Sequence, residues 1–330
     1  MPDATKKTNV YVTRQIPDAG LDLLRERCDK VDLNPHDRSL TRDELLSAVG
    51  GRDGVLCQLT DRIDAELMHA ASGCRVFSDY AVGHNNVDVD EATRRGIAVC
   101  NTPGVLTETT ADLAWALIMA TCRRVVEGDA LTRAGEFKGW GPMMFLGADV
   151  YGKVLGILGA GRIGAATAMR ARGFGMTVLY AHPRRNQELE EELNARHVTI
   201  EELFSQSDIV SIHVPLRNET HHLVDERLLS MMKSTAFLVN TARGPVVDEK
   251  VLVRFLKEHR IAGAGLDVYE DEPALAPGLA ELPNTVLTPH IGSATVETRT
   301  AMSLLAAQNL IDVLEGRRPR AIVNPSVLPA

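Results

Sequence analysis

Short apolar runs alternate with longer stretches of mixed polarity along nearly the whole chain. Residues 9–13, 31–33, 55–57, 76–79 and 98–100 read as strands, and 19–28, 45–49, 64–71 and 88–94 as helices between them. Thr41 and Glu44 stand at the spacing of a capping box, which predicts a helix start. Repeated βα units with short polar joints predict a parallel, flavodoxin-like sheet. Asn101-Thr102-Pro103-Gly104 breaks the rhythm and predicts a domain junction. A long apolar helix over 110–126 and an irregular segment over 130–148 follow. That segment carries Trp140, Met143, Met144 and Phe145, an apolar surface that needs cover, and a partner subunit is the favoured cover. A second βα series then runs through strands at 154–158, 177–180, 208–215, 236–240, 262–266 and 285–287. Its helices are expected at 163–174, 225–232 and 248–259. The last helix, 295–315, is expected to return to the first domain. The expected architecture is α/β with two parallel-sheet domains and a deep cleft between them. Residues 1–104 with 294–330 form the substrate domain, and 105–293 form an inserted nucleotide domain.

Within the second series, Gly159-Ala160-Gly161-Arg162-Ile163-Gly164 fits G-x-G-x-x-G between a strand and a helix. Three glycines at this spacing suit a dinucleotide site of the Rossmann type. The first allows the tight turn, the second lets backbone approach a pyrophosphate, and the third packs helix on strand. Arg162 and Ile163 open the helix whose free N–H groups would meet the phosphates. The next strand ends in Tyr180-Ala181-His182-Pro183-Arg184-Arg185, with His182 at the position where NAD-binding folds carry an acid. Arg184 and Arg185 suit a 2′-phosphate instead, so NADPH is the expected cofactor, with NADH as the alternative. The plain alternative is a solvated loop ahead of the acidic helix at 188–192.

Composition narrows the classes. At 330 residues the chain is long enough for two cores. Its net charge of −8 argues against a nucleic-acid surface, so an acid-binding site needs its own local cation. No apolar run reaches the roughly 18 residues of a membrane span, and the N-terminus has no apolar signal core. A cytoplasmic protein without membrane association is expected. The five cysteines lack metal or redox spacing and are expected reduced and packed.

Arg243, Glu272 and His290 fall just past strands of the nucleotide domain. Hydride transfer to a 2-oxo acid calls for this set of residue types. A guanidinium binds the carboxylate and polarises the ketone, an imidazole protonates the developing alkoxide, and a carboxylate fixes the imidazole tautomer. Taken singly, each has a bland explanation as a surface charge or satisfied loop residue.

The segments GKVLGILGAGRIG, SDIVSIHVPL, FLVNTARGPVVDE, GAGLDVYEDEP and TPHIGSAT resemble the D-isomer-specific 2-hydroxyacid dehydrogenase family over essentially the full length. AVGHNNVDV, NTPGVLTETTADLAWAL and GEFKGWGPMMFLGADVYGK are most similar to its glyoxylate/hydroxypyruvate reductases. The resemblance implies substrate binding by Arg243, acid support by Glu272 and proton delivery by His290. It also implies carboxylate binding by the Val82 and Gly83 N–H groups, and pocket closure by Leu59. Thr110, Val214, Pro215, Thr241, Ala242, Asp267 and Gly292 are implied around the cofactor, Thr241 and Asp267 at its carboxamide. Trp140 is implied to reach the active site of the other subunit of a homodimer.

Other readings remain. D-lactate or larger D-2-hydroxy acids fit the same catalytic set, and corepressors on this fold keep a similar dinucleotide site. Phosphite dehydrogenases carry a lysine where this chain has Val82, which disfavours that activity. His213 reads as either a core histidine or an adenosine neighbour. His221 and His222 are expected to point apart, with no third ligand, so no metal site is expected.

Overall fold

The computed structural model describes residues 8–328. Two compact units divide the chain: one runs up to Leu106 and resumes at Ser293, and the other is Thr107–Gly292. In the first, β1 (Asn9–Val12), α1 (Asp18–Arg27), β2 (Lys30–Leu33), α2 (Arg42–Ala48) and β3 (Gly54–Cys57) follow in turn. Then come α3 (Ala65–Ala70), β4 (Val76–Asp79), α4 (Val89–Arg94) and β5 (Ala98–Cys100). All five strands pair in parallel in the order β2-β1-β3-β4-β5, a flavodoxin-like sheet. Side chains of Asp64 and Asp88 cap α3 and α4, and both bonds of the Thr41–Glu44 capping box are present.

The second unit opens with α5 (Thr107–Cys122) and α6 (Val125–Arg133), then β6 (Val154–Leu158), α7 (Arg162–Arg170) and β7 (Thr177–Ala181). It continues through α8 (Gln187–Leu193), β8 (Arg196–His197), α9 (Ile200–Gln206), β9 (Ile209–Ile212) and α10 (Glu226–Met231). It closes with β10 (Phe237–Asn240), α11 (Glu249–Lys257), β11 (Gly263–Leu266) and β12 (Thr285–Leu287). Seven parallel strands lie in the order β12-β11-β10-β9-β6-β7-β8. Strand order therefore reverses between β6 and β9, and ligands of such sheets sit at the carboxyl ends of strands at that reversal. Successive residues of β10 feed opposite cores. Leu238 packs with Phe204, Leu228 and Phe255, whereas Phe237 and Val239 pack with Trp115, Ile118 and Ala168.

The final helix, α12 (Val296–Leu314), belongs to the first unit and packs on α1, β3 and β4. A Cβ on Gly20 would stand 2.6 Å from the Ser303 carbonyl oxygen, so the two helix backbones need glycine there.

Several expected boundaries are corrected. The long helix expected over 110–126 starts earlier and breaks after Cys122, because the Cys122 carbonyl accepts from Ala148 N–H (2.8 Å) instead of from the next helical turn. Arg124 is left-handed at φ 54°, pairs bidentately with Glu127 and lies over the Phe145 ring. Residues 130–133, expected irregular, complete α6. The helix expected over 163–174 ends as a 3-10 turn from Ala171, and the strand expected over 208–215 stops at Ile212.

Candidate active site

The turn after β6 uses each of its glycines differently. Gly159 has φ 99°, and a Cβ there would meet Val214 N and Cγ1 at 2.8 Å. The turn thus packs directly on the loop that leaves β9, at the strand-order reversal. A Cβ on Gly164 would stand 2.1 Å from Gly159 O, so α7 packs on the turn itself. Gly161 has nothing within 4 Å of its Cβ position among the described residues, and no side chain caps α7. Exposed Arg162 and half-buried Ile163 follow as its first residues. The arrangement fits a dinucleotide: an open face of backbone N–H groups at a helix N-terminus, held by two positions where no side chain is possible. Val214 and Pro215 continue this edge. His213 beside them contacts the Ser211 hydroxyl (2.8 Å), and burial pushes its imidazole down to about 3, so the ring is neutral.

Past β7 stand His182, Arg184 and Arg185, with no acid at the strand end itself. Burial, then His197 and Arg184, lowers the His182 pKa, which leaves its ring uncharged at neutral pH. Arg184 is exposed and makes no hydrogen bond or ion pair among the described residues. Arg185 behaves differently from the sequence expectation of two available arginines, since Glu190 already holds its guanidinium in a two-bonded pair (3.0 and 2.8 Å).

The three residues expected to be catalytic, Arg243, Glu272 and His290, follow the ends of β10, β11 and β12. Glu272 Oε2 lies 2.9 Å from His290 Nδ1, and Tyr269 N–H donates to Glu272 Oε1 (3.0 Å). An ionised carboxylate only accepts, so Nδ1 carries its proton toward Glu272 and Nε2 is left for substrate. Burial pushes the Glu272 carboxyl up. The hydrogen bond and charge of His290, the Tyr269 N–H and the charge of Arg243 outweigh it and hold the group below the usual range. That balance also ties Arg243 electrostatically to the pair. Arg243 donates from Nη1 to the Ala242 carbonyl, and Asn240 ties both sides of the turn, accepting from Ala242 N–H and donating to Arg243 O. A Cβ on the next residue, Gly244, would lie 1.8 Å from Tyr269 C and O. The Arg243 and Glu272 loops are thus pressed backbone to backbone.

Asp267 braces the His290 loop. Fully buried, its Oδ1 accepts from Thr288 Oγ1 and Ile291 N, and its Oδ2 from Gly292 N, at 2.7–2.8 Å. Burial raises its pKa despite these donors. Gly292 sits against Asp267 and Thr110, which brings the expected Thr110, Asp267 and Gly292 into one cluster. Thr241, buried at the end of β10, has a hydroxyl with no partner among the described residues. The sequence reasoning missed Tyr269, Gly244, Asn240 and Thr288 as supports. All four lie inside the segments that carry the family resemblance, Tyr269 in GAGLDVYEDEP, Asn240 and Gly244 in FLVNTARGPVVDE and Thr288 in TPHIGSAT, but their partners are set by the fold and not by spacing.

The remaining expected residues stand elsewhere. Leu59 and the Val82-Gly83 step follow β3 and β4 in the first unit, where Asn101 donates to the Val82 carbonyl and buried Asp61 accepts from Thr13 Oγ1 and Gln58 N. Trp140 is 83% exposed and therefore packs in no cluster of its own unit. His221 and His222 correct an expectation. Their rings lie 4.1 Å apart on one side, and Glu270 completes a group whose ligand atoms fall within 4.8 Å of one another. His222 has φ 49°, so the alternation of extended chain that would separate neighbours does not apply. Its Nε2 contacts Glu270 Oε1 at 2.7 Å.

Residues 115–292 match the family model described as D-isomer specific 2-hydroxyacid dehydrogenase, NAD binding domain. The chain is 51% identical over 326 residues to a glyoxylate reductase of Thermococcus gammatolerans, covering 98% of this chain and 97% of that one. It is 51% identical over 325 residues to a glyoxylate reductase of Korarchaeum cryptofilum, with 98% and 97% covered. Among solved structures, a glyoxylate reductase from Paecilomyes thermophila superposes with TM-score 0.87 at 34% identity, over 99% of this chain and 100% of that one. An NADPH-dependent glyoxylate/hydroxypyruvate reductase from Sinorhizobium meliloti, in complex with NADP and malonate, gives TM-score 0.86 at 31% identity, over 98% and 99%.

Proposed function

Because the chain belongs to the D-isomer-specific 2-hydroxyacid dehydrogenase family, we propose that it reduces glyoxylate and hydroxypyruvate to glycolate and D-glycerate, with NADPH as the favoured reductant. The observation that carries the reading is the Glu272–His290 pair, 2.9 Å apart, with the Arg243 turn pressed against the same loop. A bound reduced nicotinamide supplies the hydride. Arg243 binds the substrate carboxylate and draws charge from the carbonyl. His290 delivers a proton from Nε2 to the carbonyl oxygen while Glu272 holds Nδ1–H and stabilises the imidazolium before transfer. In the first unit, the proposed substrate contacts are the Val82 and Gly83 N–H groups for a carboxylate and Leu59 for the size of the acid. Thr241 and Asp267 hold the carboxamide, Asp267 through the lone pairs its three donors leave free.

Two unpaired features support the cofactor and assembly. Arg184 offers an uncompensated charge to a 2′-phosphate beside a neutral His182. Phe137, Trp140, Met143, Leu146 and Tyr151 are each more than half exposed on one short stretch, which favours a homodimer in which Trp140 reaches the second subunit's site. No described helix is long and apolar enough to cross a membrane, and a cytoplasmic enzyme is the reading that fits. The test follows absorbance at 340 nm with glyoxylate, hydroxypyruvate, pyruvate and larger 2-oxo acids, each with NADPH and NADH. The highest kcat/KM is expected for glyoxylate or hydroxypyruvate with NADPH. No oxidation with any acid would overturn the reading, and preference for a larger acid would overturn the substrate.

A further inference from the structure

The guanidinium of Arg185 meets Glu190 along one whole edge, Nε to Oε1 and Nη2 to Oε2. This geometry uses two of its donors and cancels its charge. Glu190 is itself anchored, with a side chain only 21% exposed against 70% for Arg185. The ring of Tyr180 is fully buried at the end of β7, and its hydroxyl donates to Glu190 Oε1 and accepts from Asn186 N–H. Asn186 caps α8 and donates from its side chain to the carbonyl of Ala160, inside the glycine turn. The carboxylate is therefore tied into the same frame as the pyrophosphate site. The hydrogen bond from Arg185, then that from Tyr180, holds its carboxyl below the ordinary range, so it is charged at neutral pH. Of the two arginines on this loop, only Arg184 carries an uncompensated charge.

We infer that Glu190 sets how strongly the site favours NADPH over NADH, by withholding Arg185 from the 2′-phosphate. The inference rests on the NADPH reading above. Held in that pair, Arg185 adds no net attraction for a 2′-phosphate, which carries nearly two negative charges, and the pairing is indifferent to the 2′-hydroxyl of NADH. The effect is therefore selective for one cofactor. Glu190→Gln keeps the shape and an acceptor for Tyr180 while it removes the charge and releases Arg185.

The test measures Kd for NADPH and NADH by quenching of protein fluorescence, with far-UV circular dichroism confirming each fold. In E190Q the NADPH Kd is expected to fall about threefold to tenfold, less at high salt, while the NADH Kd stays within about twofold. In the double variant E190Q/R185Q the gain should vanish, since it acts through Arg185. R185Q alone leaves the Glu190 carboxylate without its partner and is expected to raise the NADPH Kd by about threefold to tenfold, with NADH nearly unchanged. An unchanged or weakened NADPH affinity in E190Q, or an equal gain in E190Q/R185Q, overturns the inference: the first makes Glu190 a helper that presents Arg185, and the second means that it does not act by withholding Arg185. If E190Q does not fold, Glu190→Ala takes its place in the same comparison, alone and with R185Q. The wild-type ratio of the two Kd values tests the NADPH reading separately. A wild type that prefers NADH would overturn that reading, yet a selective gain in E190Q would still uphold the role of Glu190.

Discussion

Two groups of titratable side chains in the seven-stranded unit are built in opposite ways. Arg243, Glu272 and His290 stand on loops fixed from beneath. Asp267 binds two consecutive backbone N–H groups of the His290 loop, and Gly244 leaves no room for even a methyl group against Tyr269. His182, Arg184 and Arg185 stand on a loop whose backbone is held at His182 by His197 and at Asn186 by Tyr180, but whose two guanidinium groups are exposed, with Glu190 the one partner between them among the described residues. The difference follows from what each must do. Proton delivery tolerates little misplacement, because a fraction of an ångström changes the transition-state contact. Attraction of a phosphate falls off slowly with distance and needs only net charge nearby. On the proposed roles, rigidity is concentrated where bonds would change, and cofactor selectivity would rest on exposed charges that contribute little to the fold.

That contrast can be tested from its strongest consequence downward. Arg243→Ala should lower kcat/KM for glyoxylate by about 10³-fold or more, with cofactor Kd nearly unchanged, since both carboxylate binding and carbonyl polarisation are lost. Near-wild-type turnover would break the assignment. His290→Asn should reduce kcat by about 10²- to 10⁴-fold without altering fold or cofactor affinity. Gly244→Ala changes no charge, yet it should cost about 3 kcal/mol in urea unfolding and abolish most turnover, because the new methyl group meets backbone on a neighbouring loop. If it is tolerated, the catalytic loops are not rigid. Arg184→Gln should raise the NADPH Kd roughly tenfold and leave stability and NADH binding almost unchanged.

The smallest effect concerns acid. The folded-state pKa of Glu272 lies below its unfolded value, so the stability it contributes is present above the ordinary glutamate range. It is lost as pH falls through the lower folded value. Comparison of urea midpoints for wild type and Glu272→Gln should therefore show a difference that shrinks toward low pH. A gap that widens on acidification would reverse the sign and refute the pairing.

Much of the fold was legible because its signals are local. The Thr41–Glu44 box, the apolar runs of β4 and β5 and the glycine spacing after β6 each encode their own geometry within a few residues. The break in α5 was not legible, because it depends on Ala148 capturing the Cys122 carbonyl from 26 positions away in the chain. The second capping box, Thr199 with Glu202, was legible and was passed over. For the site, Arg243, Glu272 and His290 could be named from strand ends and reaction demands, and the structure adds their mutual geometry. Their supports divide by the same rule: Tyr269 lies three residues before Glu272, whereas Asp267 reaches the His290 loop 24 residues on. The capture of Arg185 by Glu190 joins residues only five apart, yet no pattern distinguishes it from the many solvated pairs of an acidic helix.

The return of α12 to the first unit has a consequence for synthesis of the chain. The hydroxyl of Ser78 on β4 donates to the Ala306 carbonyl, and Gly54 on β3 packs against Leu310, so that helix closes the core of the first sheet. At ribosomal rates of about 5–20 residues per second, the roughly 200 residues between β5 and the end of α12 take about 10–40 s to emerge. For that interval the first five strands exist without their closing helix, while the inserted unit emerges whole and can complete its own core. The dinucleotide-binding half is thus the first part of the protein able to mature, and the half that begins the chain is the last.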